Sequence, residues 1–202
     1  VRRDGTTAFT PDAGRYHLYV SYACPWAHRA LIVRALKGLE HVIGVTSVDP
    51  YMGANGWEFT ARCGHEPHYQ AKTLWQLYVR AAPEYSGRVT VPVLWDRRDH
   101  TIVNNESSEI IRMLNSEFDA LAQVAELDLY PESMRETIDE WNAVIYPGLN
   151  NGVYRAGFAT TQAAYEDACN DVFATLDRLE GCLASNRFLC GESLTEADLR
   201  LF

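Results

Sequence analysis

The stretch that decides the fold is Tyr19-Val20-Ser21-Tyr22-Ala23-Cys24-Pro25-Trp26-Ala27-His28. β-Favouring residues from Tyr16 onward predict a strand, and apolar residues at helical spacing after Pro25 predict a helix. Pro25 suits the first helical position because it has no N–H to leave unpaired. Cys24 therefore takes the N-cap, where backbone N–H groups and the helix dipole favour a thiolate. The stretch predicts a nucleophilic cysteine with a pKa below the value of about 8.5 for a free thiol.

Composition excludes several functional classes. The chain has 202 residues, a net charge of −9 and no concentrated basic stripe, so neither nucleic acid nor an anionic membrane is expected as a partner. No apolar run of about 18 residues and no signal-peptide core is present. The five cysteines include no CxxC pair, which argues against a zinc ribbon or a secreted disulfide framework. We therefore expect a soluble cytoplasmic protein without a metal.

The first half of the chain alternates strand and helix signals. Residues 42–48 are rich in β-branched residues and predict a second strand. A long loop with glycines and aromatic residues follows over residues 49–72, and a loop of that length is more often functional than idle. A short helix then runs to Pro83, where it ends.

A proline interrupts the next predicted strand, residues 88–96. Pro92 is compatible with that strand if its peptide bond is cis, which leaves the backbone of Val91 open to a ligand. A polar hairpin, a returning strand and a capped third helix after Asn104 complete the order βαβαββα.

Strand signals cease beyond about Ser116. Residues 132–146 and 161–184 have the spacing of amphipathic helices, and the glycines between them indicate a connecting segment. The prediction is an α/β domain over residues 1–115 with an unpacked arm over residues 1–15, a linker near 115–131, and an all-α domain over 132–202. A capping box at Thr195 starts a helix just before the chain ends, so we expect the helical domain to be incomplete at its C-terminus.

The βαβαββα order, the N-cap cysteine and the proline expected to be cis resemble the thioredoxin-like domain of glutathione transferases, which an all-helical domain follows. The motifs that narrow the resemblance to the Xi class, the glutathionyl-hydroquinone reductases, are CPWAHR at residues 24–29, SVDP at 47–50 leading to Gly56-Trp57, RVTVPVLWD at 88–96 and NNGVY at 150–154. The resemblance implies the fold class α/β plus all-α and a homodimer.

The resemblance also assigns roles to individual residues. It implies Cys24 as the nucleophile and Tyr154 as a tyrosine of the hydroquinone pocket. The glutathione contacts that it implies are Trp57, Arg88, Val91, Pro92, Glu106 and Ser107.

The implied reaction is removal of glutathione from a glutathionyl-hydroquinone by a second glutathione, the co-substrate, giving hydroquinone and glutathione disulfide. Ala27 occupies the place of a resolving cysteine, so the chemistry is expected to use one protein thiol. The alternatives are an omega-like thioltransferase or dehydroascorbate reductase, and a non-enzymatic glutathione-fold binding module. A conjugating transferase that uses Tyr22 or Ser21 is less compatible, because Cys24 would trap glutathione.

Several site residues have a simpler structural interpretation. Glu106 and Ser107 are also ordinary helix-capping residues, and Trp57 is also compatible with loop packing. The Tyr154 hydroxyl is equally compatible with a backbone hydrogen bond in a helix connection. We expect the other four cysteines to be structural or incidental.

Overall fold

The computed structural model describes all residues from Val1 to Phe202 and divides into two compact units, Val1–Leu127 and Asp128–Phe202. The first unit has the predicted βαβαββα order. Its elements are β1 (Tyr16–Val20), α1 (Pro25–Leu36), β2 (Gly44–Ser47), α2 (Trp75–Ala81), β3 (Val93–Asp96), β4 (Thr101–Asn104) and α3 (Ser107–Ser116). The thioredoxin-like fold class is therefore confirmed for this unit.

The four strands form one mixed sheet in the order β2-β1-β3-β4. β1 runs parallel to β2 and antiparallel to β3, and β3 runs antiparallel to β4. Every residue of β1 and β3 is buried, as expected for the two central strands of a sheet that has cover on both faces. Helices α1 and α3 pack against each other, whereas α2 contacts β4.

The proline-containing strand is shorter than predicted. The peptide bond between Val91 and Pro92 is cis, as expected, but β3 begins only at Val93. Residues 88–91 do not join the sheet, because proline lacks the N–H that a ladder requires and the cis bond turns the chain. The prediction of a strand from residue 88 is therefore wrong in its first half.

The N-terminal segment has neither helix nor strand and its residues 2–8 are exposed, as expected of an arm, but the segment is tied to the sheet. Arg15 is buried and its guanidinium donates to the carbonyls of Ala8 and Thr10 at 3.0 and 3.4 Å. The same group pairs with the buried carboxylate of Asp96 in β3 at 2.5 Å. Because one arginine binds the arm and the sheet together, the segment is ordered by charge pairing rather than by apolar periodicity, which is the signal that sequence analysis relies on.

A buried lysine fixes the segment that follows α3. The Lys37 side chain is fully buried, and its ammonium donates to Asp119 at 2.9 Å and to the carbonyls of Ala125 and Leu127 at 3.2 and 2.6 Å. All three donors of the ammonium are thereby used. Residues up to 127 consequently belong to the first unit.

The second unit is helical. Its helices are α4 (Arg135–Ile145), α5 (Asn151–Gly157), α6 (Gln162–Leu183) and α7 (Glu196–Leu201), with a short 3₁₀ turn at Glu132–Met134 before α4. Its core residues are Ile138, Ile145, Leu179, Leu189 and Ala197. The capping box predicted at Thr195 is present, with the Asp198 carboxylate accepting from the Thr195 N–H at 2.8 Å.

Two of the three glycines between α4 and α6, Gly148 and Gly152, do not mark a turn, whereas Gly157 ends α5 as predicted. A π-helical segment, Tyr146–Asn150, joins α4 to α5, so the chain stays helical from residue 135 to 157. A Cβ on Gly148 would lie 2.2 Å from Thr175 Oγ1, and a Cβ on Gly152 would lie 2.8 Å from Val172 Cγ2. These two glycines therefore allow a close approach of α6, and the prediction that they punctuate a connection is wrong.

Replacing Gly148 with alanine is expected to lower the free energy of unfolding by about 2 kcal/mol, because the new methyl group overpacks against Thr175. Urea unfolding measures the change. Gly181→Ala, in α6 with open space around it, is the matched control and should stabilise the protein by about 1 kcal/mol through helix propensity alone. If the Gly148→Ala variant is as stable as the Gly181→Ala variant, α6 moves away from the new methyl group without loss of stability, and the prediction is wrong.

None of the helices combines the length and apolar character needed to cross a membrane.

Candidate active site

The strand registers bring the segments singled out in the sequence to one edge of the sheet. β1 and its parallel partner β2 end there, and the antiparallel β3 begins there, since Val93 pairs with Tyr19. β4 ends at the same edge, with Asn104 opposite Leu94. The residues that follow or precede these ends are Cys24, the loop from Asp49, Val91-Pro92 and Glu106-Ser107.

Cys24 is the N-cap of α1, with extended backbone and Pro25 at the first helical position, as predicted. Its thiol is free and half-buried, and its Sγ points at the carbonyl oxygen of Val91 at 3.6 Å. The Cys24 carbonyl accepts the first helical hydrogen bond from His28 N–H at 3.0 Å. The structure therefore places the predicted nucleophile next to the cis peptide.

The prediction of a lowered cysteine pKa is wrong. Burial raises the pKa of the Cys24 thiol above its ordinary value, although the backbone N–H groups of Ala27 and Trp26 and the charge of Arg29 pull it in the opposite direction. Desolvation depends on which residues cover the sulfur, so the local N-cap signal could not reveal it. The thiolate is therefore the minority form of Cys24 at neutral pH.

The alkylation rate of Cys24 by iodoacetamide is therefore expected to rise continuously from pH 6 through pH 9 without a plateau near neutrality. Only the thiolate reacts, and a raised pKa moves its formation to higher pH. Peptide mass spectrometry at Cys24 follows the rate separately from the other four cysteines. A plateau reached by pH 7 would contradict the raised pKa.

A cluster that sequence analysis missed supports the segment before the cis peptide. The Tyr78 hydroxyl donates to the Thr90 carbonyl at 2.9 Å and accepts from the Thr90 N–H at 3.2 Å. The Asn105 side-chain amide also donates to this hydroxyl, at 3.2 Å. In the sequence Tyr78 reads only as one apolar position of a short helix, and no local signal indicates its partners.

Glu106 and Ser107 lie at the start of α3, as predicted, and Glu106 caps the helix. Glu106 is the N-cap, and its Oε1 accepts from the N–H and the hydroxyl of Ser108, both at 3.0 Å. The Ser107 hydroxyl donates to the same oxygen at 3.4 Å, and Ser107 is buried. The second carboxylate oxygen of Glu106, Oε2, accepts none of these hydrogen bonds.

The long loop is held in place by a buried carboxylate. Glu66 accepts from the Tyr19 hydroxyl and the Tyr69 N–H, both at 2.6 Å, and from the His68 N–H at 3.0 Å. Burial opposes ionisation of Glu66, but these hydrogen bonds outweigh it and hold its pKa below the usual value. The loop is thus anchored to β1 through the hydrogen bond between Glu66 and Tyr19, and the sequence did not single out this charged residue.

Trp57 and Arg88, which are also expected to contact glutathione, differ in how far their side chains are exposed. Trp57 lies in the long loop, half-buried, with its carbonyl accepting from Leu74 N–H at 2.9 Å. Arg88 has an exposed side chain, and its carbonyl accepts from the Tyr85 hydroxyl at 2.6 Å.

Tyr154 belongs to the second unit. It lies in α5 rather than in a loop connection, and its ring stacks on that of Phe158 with centroids 6.2 Å apart. Both rings are exposed on the helix, Phe158 strongly so.

No group of three or more His, Cys, Asp or Glu side chains is arranged to hold a metal ion.

Comparisons with known proteins agree with this geometry. The family described as the N-terminal domain of glutathione S-transferase matches residues 23–117, and the C-terminal domain of the same family matches residues 162–202. The glutathionyl-hydroquinone reductase YqjG of Escherichia coli is 56% identical over 201 residues, which cover 98% of this chain and 61% of YqjG. The chain thus spans about three-fifths of the length of that relative.

Solved structures give the same relationship. The glutathione S-transferase Xi from Phanerochaete chrysosporium superposes with a TM-score of 0.95 at 55% identity, covering 100% of this chain and 69% of that one. The glutathione-bound YqjG of Escherichia coli gives a TM-score of 0.95 at 54% identity, covering 100% of this chain and 68% of that one. With two domain matches and this degree of identity, the chain belongs to the glutathione transferase family and, within it, to the Xi class.

Proposed function

We propose that this protein is a glutathione-dependent reductase that removes glutathione from glutathionyl-hydroquinones. The observation that carries the proposal is Cys24 at the N-cap of α1, with its Sγ 3.6 Å from the Val91 carbonyl beside the cis peptide and with Ala27 where a second cysteine would stand. Such a site offers one reactive thiol and an open backbone edge. The name of the relative YqjG agrees with this reaction.

The backbone of Val91 and the start of α3 are the proposed anchors for glutathione. The Val91-Pro92 segment lies outside the sheet, so no neighbouring strand takes its backbone groups, which suit the cysteinyl part of the ligand. The N–H groups at the start of α3 and the Ser107 hydroxyl suit the γ-glutamyl carboxylate, and Glu106 suits its ammonium. We further propose Trp57 and Arg88 as glutathione contacts on the family motif alone.

The first chemical step joins two sulfurs. The Cys24 thiolate attacks the glutathione sulfur of the conjugate, an S–S bond forms, and the carbon–sulfur bond breaks with its electron pair moving to the ring carbon. A proton then adds to that carbon and gives free hydroquinone. The ring is reduced by two electrons, and the two sulfurs are oxidised to a mixed disulfide.

The second step regenerates the enzyme. A second glutathione thiolate attacks the glutathione sulfur of the mixed disulfide, releases glutathione disulfide and returns Cys24 as a thiolate. Because the pKa of Cys24 is raised, only a small fraction of the protein carries Cys24 as a thiolate at neutral pH. That thiolate is more nucleophilic than a thiolate of low pKa. Backbone N–H groups of Ala27 and Trp26 favour the charged form.

Tyr154 is proposed as a substrate-binding tyrosine because it closes the family motif NNGVY. A phenol hydroxyl can hydrogen-bond the hydroxyl groups of a hydroquinone, and its ring can stack on the aromatic product.

The test compares three substrates with purified protein and glutathione: a glutathionyl-hydroquinone, a mixed disulfide and dehydroascorbate. Chromatography of the first reaction should show hydroquinone and glutathione disulfide in equal amounts. Reduction of the mixed disulfide or dehydroascorbate without hydroquinone release would favour the omega-like thioltransferase instead. No turnover of any substrate would favour a binding module.

We also propose that the protein is a homodimer in the reducing cytoplasm. Five unpaired cysteines are compatible with a reducing compartment, and the family resemblance supports the dimer. Light scattering after size-exclusion chromatography would give twice the 22.8 kDa chain mass, whereas a single chain mass would contradict the dimer.

A further inference from the structure

The Tyr78 hydroxyl uses all of its hydrogen-bonding capacity within one small cluster, formed by Tyr78, Thr90 and Asn105. A phenol hydroxyl has one hydrogen to donate and two lone pairs. The hydrogen goes to the Thr90 carbonyl at 2.9 Å, and the lone pairs take the Thr90 N–H and the Asn105 amide, both at 3.2 Å. Tyr78 itself is only 2% exposed, whereas Thr90 and Asn105 are exposed, so the cluster is partly buried.

The Tyr78 cluster lies between the two segments proposed to hold glutathione. Thr90 is adjacent to Val91 and the cis peptide, and Asn105 is adjacent to Glu106 at the start of α3. Asn105 closes the cluster by donating also to Thr90 Oγ1 at 3.3 Å. One buried hydroxyl in α2 therefore ties the cis-peptide segment to the N-terminus of α3.

Each segment has a short hydrogen bond of its own, from the Tyr85 hydroxyl to the Arg88 carbonyl and from the Glu106 N–H to Asn104 Oδ1, both at 2.6 Å, but these bonds do not join the two segments. Residues 88–91 lie outside the sheet, and Asn105 falls between β4 and α3. Without the Tyr78 hydroxyl, the ligand would have to fix the two segments relative to each other. The free energy of that ordering would reduce the binding free energy.

We propose that Tyr78 is a positioning residue, which holds the Val91-Pro92 backbone and the start of α3 at the separation that glutathione needs. The inference rests on the proposed glutathione site but not on the acceptor that is reduced. Tyr78 touches neither Cys24 nor the reacting sulfurs in this role, so it acts on affinity and leaves the chemical step alone.

Tyr78→Phe is expected to weaken glutathione binding roughly tenfold, because the variant lacks three neutral hydrogen bonds of the cluster. The rate at saturating glutathione should stay within about twofold of the parent, since the chemistry at Cys24 is untouched. Asn105→Ala removes one of the three bonds and should weaken binding by a smaller factor in the same direction. Calorimetric titration with glutathione in a Cys24→Ser background measures affinity independently of turnover.

Tyr16→Phe is the matched control. Tyr16 is fully buried in the same unit, and its hydroxyl donates to the Thr10 carbonyl at 2.7 Å, far from the glutathione segments. This variant should lose some stability, since a hydrogen bond of a buried tyrosine is removed, but it should bind glutathione like the parent protein. Amide exchange of the Thr90 N–H should accelerate in Tyr78→Phe and not in Tyr16→Phe.

The outcomes separate the two proposals. Unchanged glutathione affinity in both Tyr78→Phe and Asn105→Ala overturns the positioning role, whatever happens to stability, and leaves the proposed function standing. A fall in the saturated rate at unchanged affinity also overturns it. Weakened binding without any hydroquinone release from the parent protein supports the positioning role and refutes the proposed reaction. If the parent protein binds no glutathione, both proposals fail.

Discussion

Cys24→Ser should abolish hydroquinone release from a glutathionyl-hydroquinone, lowering kcat/KM at least roughly a thousandfold, as loss of a covalent nucleophile does in other enzymes. A serine hydroxyl is not ionised near neutral pH and cannot form a disulfide with glutathione. The backbone at the N-cap should be undisturbed, because Cys24 makes no side-chain cap to α1 that serine would break. Chromatography of the products measures the loss.

A second measurement distinguishes chemistry from damage to the fold. Mass spectrometry of the parent protein after one equivalent of conjugate should show one added glutathione on Cys24, and the Cys24→Ser variant should show none. Cys169→Ser, at another half-buried free thiol in α6, is the matched control and should keep full turnover. Turnover that survives Cys24→Ser would refute the mechanism, and so would an inactive Cys169→Ser variant.

Asp96→Asn should have the largest effect on stability, about 3–5 kcal/mol, because it leaves the buried Arg15 guanidinium without its buried charged partner. Asp96 Oδ2 accepts from Arg15 Nε at 2.9 Å, and Oδ1 accepts from the N–H groups of Arg98 and Asp99 at 2.8 and 3.3 Å. An asparagine in either orientation would turn its NH₂ group toward one of these donors. Urea unfolding measures the change.

The ionisation of the Asp96 carboxylate also makes the free energy of unfolding depend on pH. Burial alone would raise the pKa of Asp96, but the hydrogen bond from Arg15 and those from Arg98 and Asp99 outweigh it, so the pKa lies below its usual value. The unfolded chain titrates near 3.9, so this contribution is complete above about pH 4 and disappears as the pH falls through the folded pKa. The difference between parent and Asp96→Asn should therefore shrink below about pH 4.

Asp99→Asn is the control for the ion pair. Asp99 also lies 3.1 Å from the Arg15 guanidinium, but its side chain is 42% exposed. Water screens that pair, so the variant should lose less than about 1 kcal/mol. Equal losses in Asp96→Asn and Asp99→Asn would show that burial of Asp96 is not what makes its pairing strong.

The order of elements and the position of the nucleophile were predictable because their signals are local. β-Favouring runs, the proline after Cys24 and the capping box at Thr195 each act within a few residues along the chain. The cis state of Pro92 was also expected, since a proline in a strand pattern needs a turn or an edge. These features specify which residues can reach the site.

Other features arise only when distant segments meet. Gly148 and Gly152 look like turn residues in the sequence, yet in the structure they make room for α6. Arg15 looks like part of a loose arm, but its partner Asp96 lies 81 residues further along the chain. A pattern read over a short window carries no information about such partners.

The sequence by itself determined that Cys24 stands at a helix N-cap without a second thiol at Ala27, because both facts follow from neighbouring residues. Only the tertiary structure decided how reactive that thiol is and what surrounds it. Burial by distant residues raises its pKa against the pull of the N-cap, and a tyrosine hydroxyl in α2 supports the segment beside it. Desolvation and hydrogen bonding depend on atoms brought together by folding, whereas a cap depends on the next few residues.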